Sequence, residues 1–118
     1  MFYIVAEGRN PCPLMFAFEK LGSRWTLMVL RELFDGPRRF NQLHKSLPWV
    51  SGRSLTRVLK RLEGDGLIER TVNSNRPPEV SYSLSSNDPM LREIIDALSR
   101  WGTKKDLEQG ARRQRRHT

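Results

Sequence analysis

The chain has 118 residues and a formal net charge of +8, from 21 Lys and Arg against 13 Asp and Glu. That length supports one domain with one hydrophobic core. A single cysteine excludes an internal disulfide, no run approaches the roughly 18 apolar residues of a membrane span, and the basic balance suits phosphate backbones or anionic lipid.

Residues 1–11 form an N-terminal arm in which Phe2, Tyr3, Ile4 and Val5 suit a short strand or a surface packed on a partner. Residues 1–6 are apolar but too few for a secretory signal, and no basic segment precedes them, so cytoplasmic residence is expected. A first helix is predicted over 13–22. Asn10 or Cys12 stands at its cap, Pro13 suits the first turn, and Leu14, Met15, Ala17, Phe18 and Leu21 supply an apolar face. Ser23 caps a second helix, which runs from Trp25 to about Phe34 and directs Trp25, Met28, Val29, Leu30 and Leu33 to the core. Asp35-Gly36-Pro37 ends it by turn chemistry.

A short third helix is expected over about 39–46, with Phe40, Leu43 and Leu47 inward, and Pro48 stops it. Ser51 then caps a fourth helix that reaches about Gly64. Two helices separated by a few residues make a helix-turn-helix. Residues 67–72 (LIERTV) and 80–84 (VSYSL) alternate apolar and polar side chains as half-buried strands do, and the proline-bearing stretch 73–79 projects between them as a wing. Asp88 caps a last helix that has Pro89 in its first position and carries Leu91, Ile94, Ile95, Leu98 and Trp101 at steps of three and four. Past Gly110 the chain is polar, holds four arginines in its final segment, and is expected to be disordered alone. Without those arginines the formal charge is still +4.

The fourth helix carries the functional argument. At about 100° per residue, Leu55, Val58, Leu59 and Leu62 cluster on one side, and Arg53, Thr56, Arg57 and Lys60 on the other. Guanidinium forks match a guanine edge or a phosphate, and a threonine reaches a base or its methyl. Ser51, Gly52 and Ser54 are small enough to let a phosphate approach the helix start. Residues 36–62 contain no Asp or Glu. For a lone helix a solvated basic face would be the better reading; the preceding helix, the turn and the wing, in that order, weigh against it. Arg38, Arg39 and Asn41 at the opening of the third helix, and Arg76 with Asn73 and Asn75 in the wing, are candidates for backbone or minor-groove contact. Simple solvation is the alternative for each.

The sequence resembles the HxlR family of bacterial winged helix-turn-helix regulators, relatives of the MarR type. The resemblance rests on Cys12-Pro13, Gly22-Ser23-Arg24-Trp25-Thr26, Leu30-Arg31-Glu32-Leu33, Gly36-Pro37-Arg38-Arg39-Phe40, Leu47-Pro48, Leu55-Thr56, Leu62-Glu63, Asp65-Gly66-Leu67-Ile68-Glu69-Arg70-Thr71-Val72 and Pro77-Pro78-Glu79-Val80-Ser81-Tyr82-Ser83-Leu84. One departure is Ser85-Ser86-Asn87-Asp88-Pro89, where the family usually has a Thr-x-x-Gly-like helix start. The resemblance implies a dimeric DNA-binding transcription factor without catalysis, whose terminal segments form the dimer interface. The fold class expected is therefore mainly α with a small β-hairpin, a winged helix-turn-helix that dimerises through terminal segments. Residues 1–11 are the arm, 12–86 the DNA-binding domain, 87–109 the dimerisation helix and 110–118 the basic tail.

Leu91, Ile94, Ile95, Leu98 and Trp101 are then candidates for a homodimer interface, with packing inside the chain as the alternative. The expected partner is double-stranded DNA, bound by a homodimer at an inverted-repeat operator. Two other readings stay open: a redox- or small-molecule-responsive switch of the same fold using Cys12 or an inter-subunit pocket, and an RNA- or protein-binding winged-helix module. Cys12 at a helix start is either a reactive thiol, which some regulators of this kind use to sense oxidants, or a small apolar filler. His44 and His117 lack metal-site spacing, no carboxylate is paired with a nucleophile, and no glycine-rich phosphate loop is present. No metal, no cofactor, no membrane and no enzymatic activity are expected.

Overall fold

The computed structural model describes residues 12–74, 76–86 and 88–117, with side chains as far as residue 112. The strand expected in the arm, the Asn10 cap and the wing's Asn75 lie outside the described residues. In chain order the elements are α1 (Pro13–Leu21), α2 (Arg24–Glu32), β1 (Arg38–Arg39), α3 (Phe40–Ser46), α4 (Gly52–Gly64), β2 (Ile68–Asn73), β3 (Glu79–Leu84) and α5 (Pro89–His117). The chain divides into two units, with the boundary between Ser85 and Ser86.

In the first unit α2, α3 and α4 enclose the core. Val29, Leu30 and Leu33 enter it from the α2 side, Leu43 and Leu47 from α3, and Leu55, Val58, Leu59 and Leu62 from α4, with Val50 and Ile68 completing it. Each such side chain contributes about 1.5–3 kcal/mol by leaving water. Trp25 and Met28, expected in the core, are only half-buried, whereas Thr26 beside them is fully buried. Gly22 caps the end of α1, where a Cβ would run into the Phe18 carbonyl oxygen. Gly66 ends the α4–β2 turn at φ 75°, a left-handed conformation that favours glycine.

The expected hairpin is present as β2 and β3, and a third strand joins it. The sheet has three antiparallel strands in the order β1-β3-β2. Arg38 and Arg39, expected to open α3, are its third strand, paired with Tyr82 and Ser81. Arg39 is extended (φ −85°, ψ 161°), and its N–H donates to Gln42 Oε1 at 2.9 Å, which caps α3 from inside the helix. The short β1 covers an edge of β3 that a bare hairpin would leave open. The β2–β3 ladder runs from Ile68↔Leu84 to Asn73↔Glu79, and residues 74 and 76–78 belong to the wing loop.

No residue of α1 is buried, although an apolar face was expected to pack. Leu14, Met15, Phe16 and Phe18 are all exposed. With four large apolar residues within five positions, no single side of this nine-residue helix could shelter them all.

In the second unit Asp88 Oδ1 accepts the Leu91 N–H at 3.2 Å, as the cap assignment requires. The helix then continues through Gly102 and Gly110 to His117. The tail expected to be disordered is therefore helical as far as it is described. A helical glycine costs roughly 1 kcal/mol relative to alanine. The strong helix formers Ala111, Arg112 and Gln114 follow Gly110, and the Asp96–Arg100 and Lys105–Glu108 pairs at 3.1 and 3.3 Å lie upstream.

Candidate nucleic-acid interface

Helix α4 is set by its first residues. Ser51 is extended (ψ 153°), and its Oγ accepts the Ser54 N–H at 3.0 Å while donating to Ser54 Oγ at 3.0 Å. The two hydroxyls thus fix where the helix begins. The helix start then determines which side chains turn inward. Leu55, Val58, Leu59 and Leu62 are buried, and Arg53, Thr56, Arg57 and Lys60 are exposed. The Thr56 hydroxyl donates to the Gly52 carbonyl at 2.8 Å, so its outward chemistry is an acceptor and a methyl rather than a donor. Ser54 is half-buried and serves the cap.

Arg61 has a different environment from its basic neighbours. Its Nη2 donates to Oγ1 of Thr26, the one polar residue among those described that is fully buried. This bond ties α2 to α4. Arg61→Ala is expected to cost about 1–3 kcal/mol in denaturant unfolding, because it strips a buried hydroxyl of its partner. The salt dependence of DNA binding should stay as it was; a flatter dependence would place Arg61 among the DNA-contacting residues. The residue stands about 80° from Arg53 on the helical wheel, and sequence periodicity gives no sign of the buried hydroxyl.

The other candidates spread over three elements. Arg39 is exposed, with Nη1 3.3 Å from Glu79 Oε1. Arg38 beside it is half-buried. Asn41 is exposed in the first turn of α3, and Arg76 is exposed in the wing loop. The reading of the sequence passed over Arg70, which is exposed on β2 directly opposite Tyr82. The alternation of residues 67–72 placed it on a strand but gave it no role.

Of the interface candidates on α5, Leu91 and Ile95 are buried while Ile94, Leu98 and Trp101 are exposed. Cys12 is half-buried at the N-cap of α1; its carbonyl accepts the Phe16 N–H at 3.1 Å, and its side chain does not cap the helix. The His44 ring lies 6.0 Å from that of Phe40, at the α3 surface that packs toward Gly52. Among the described residues no group of three or more His, Cys, Asp or Glu is placed to hold a metal ion, and no helix is long and apolar enough to cross a membrane.

The family of HxlR-like helix-turn-helix proteins matches residues 20–109, which include α2, the helix-turn-helix, the sheet and most of α5. The chain belongs to the HxlR family. An HTH-type transcriptional regulator of Methanothermobacter thermautotrophicus is 38% identical over 91 residues, covering 77% of this chain and 70% of that protein. YodB, an HTH-type transcriptional regulator of Bacillus subtilis, is 34% identical over 95 residues, covering 80% and 85%. Among solved structures, the oxidised redox regulator HypR superposes with a TM-score of 0.75 at 33% identity, over 79% of this chain and 96% of that one. Reduced YodB gives 0.68 at 34% identity, over 76% and 89%. The HxlR relatives are transcriptional regulators and not enzymes, and this member is a DNA-binding winged helix-turn-helix regulator of the same type.

Proposed function

We propose that the protein acts in the cytoplasm as a homodimer that binds an inverted-repeat operator, with α4 of each subunit in the major groove. The observation that carries this reading is the division of α4: every leucine and valine inward, Arg53, Thr56, Arg57 and Lys60 outward, and no acid between residues 36 and 62. In this reading Arg53, Thr56, Arg57 and Lys60 face base edges, and Ser54 holds the start of the helix beside them. Arg38, Arg39, Asn41, Ser51 and Arg76 hold the phosphate backbone. A two-fold axis would set the two helices about 34 Å apart, one turn of duplex. The exposed large apolar residues support an assembly, because four lie on α1 and five on α5. A dimer would remove such surface from water.

The test is Arg57→Ala on a duplex selected from a random pool. Affinity should fall by about 1–3 kcal/mol and preference should relax at one base pair. Equal losses on selected and scrambled duplexes would remove Arg57 from base readout.

A second reading, favoured by the half-buried thiol of Cys12 at a helix start, makes the regulator redox- or electrophile-responsive. HypR is known as a redox regulator in oxidised and reduced forms, and YodB in a quinone-bound form. Under this reading, peroxide or a quinone shifts the DNA affinity of the native protein and leaves Cys12→Ser unchanged. An equal response from both proteins, or from neither, would leave the cysteine without a regulatory role.

A further inference from the structure

We infer that Arg38, Tyr82 and Arg70 form a clamp on one face of the sheet that grips a DNA backbone phosphate beside the groove read by α4; the inference rests on the DNA-binding reading above. Tyr82 on the central strand pairs with Arg38 of β1 on one side and with Arg70 of β2 on the other. Directly opposed residues of antiparallel strands project from the same face. The three side chains therefore make one rung, cation–phenol–cation. Its outer Cα atoms stand two strand spacings apart, about 10 Å. Two long guanidinium side chains at that spacing can lean over the tyrosine to one phosphate, which the phenol hydroxyl also meets as a donor.

The two faces of the sheet differ in charge. On the face opposite the rung, Arg39 pairs with Ser81 in the ladder and lies 3.3 Å from Glu79, and Glu69 shares that face by alternation. The face of the rung enters the core at one end through Ile68 and is open at the other, where Val72 is exposed; Val80 and Leu84 are half-buried, and no acid is among these positions. Arg70 is exposed, and Arg38 and Tyr82 are half-buried. No strand carboxylate shares the face of Arg38 and Arg70, so an external anion is what would neutralise them there. A duplex phosphate fits better than a small free anion. Strand β1 leads directly into α3, and β2 follows α4 after a three-residue turn, so the rung is built into the ends of the helix-turn-helix itself.

Arg70→Ala should weaken binding to selected and scrambled duplexes alike, by roughly five-fold at about 0.15 M salt, and should flatten the log–log salt slope by about 1. Arg70→Lys should keep most of that slope, and Tyr82→Phe should lose affinity with the slope intact. The thermal midpoint of Arg70→Ala should stay at the native value, since the side chain is exposed. Unchanged affinity and slope in Arg70→Ala, while Arg57→Ala still loses its preference, would remove the clamp and leave the DNA-binding reading standing. Failure of the native protein to bind any duplex would remove that reading instead. Titration with inorganic phosphate alone should give no saturable heat; saturable binding that Arg70→Ala abolishes would overturn the DNA assignment in favour of a small anion.

Discussion

The double substitution Ile94→Asp and Leu98→Asp should yield a monomer whose affinity for a two-half-site duplex is roughly 100- to 10,000-fold lower, with single half-site affinity unchanged. The size of the loss follows from the effective concentration that a joined second subunit supplies. Ile94 is 39% exposed and Leu98 47%, one turn apart on α5, with Trp101 61% exposed on the same side. Two carboxylates placed there would have to be desolvated for the surface to meet a second copy. Leu91 and Ile95, which are buried, stay in place, so the subunit should keep its fold. Sedimentation gives the mass, circular dichroism the helix content and a gel-shift series the affinity. A variant that remains dimeric, or a monomer that binds the full site as tightly as before, would remove α5 from the subunit interface.

Leu59→Ala should lower unfolding stability by about 2–5 kcal/mol, since a fully buried leucine leaves a cavity that its neighbours fill only in part. Leu59 is 1% exposed, and the residue after it, Lys60, is exposed on the opposite side of α4. Lys60→Ala should therefore change stability by no more than about 0.5 kcal/mol while reducing DNA affinity. For a domain with a total stability of about 5–15 kcal/mol, the first change removes a large part of the whole. Urea unfolding monitored by tryptophan emission separates the two variants. Comparable stability losses would mean that α4 is rolled about its axis and that Lys60 belongs to the core.

Helix α4 was legible because everything that defines it is local. Ser51 supplies the cap, and the 3.6-residue spacing of four apolar residues sorts inside from outside. The same logic located β2, β3 and the Asp88-Pro89 start of α5. It missed β1, because two residues carry no periodicity, and Arg38 becomes a strand residue only through β3, more than forty positions away in the chain. It gave α1 a packed face because amphipathic spacing says that a surface wants cover, without saying which surface provides it. It gave Arg61 no role, because a helical wheel shows directions only within one helix, and the hydroxyl of Thr26 that holds this side chain comes from another. Of the candidate site, the α4 residues were visible in advance. The rung through Tyr82 was not, since it exists only once the register of three strands is set.

The continuity of α5 changes what its basic end is. A helix of 29 residues is about 44 Å long, so Arg112 stands about 35 Å along it from Pro89, at an angle about the axis that the helix sets. Each residue inserted or deleted between them would swing that angle by about 100°. Natural variation in this segment should therefore be constrained by azimuth more than by reach.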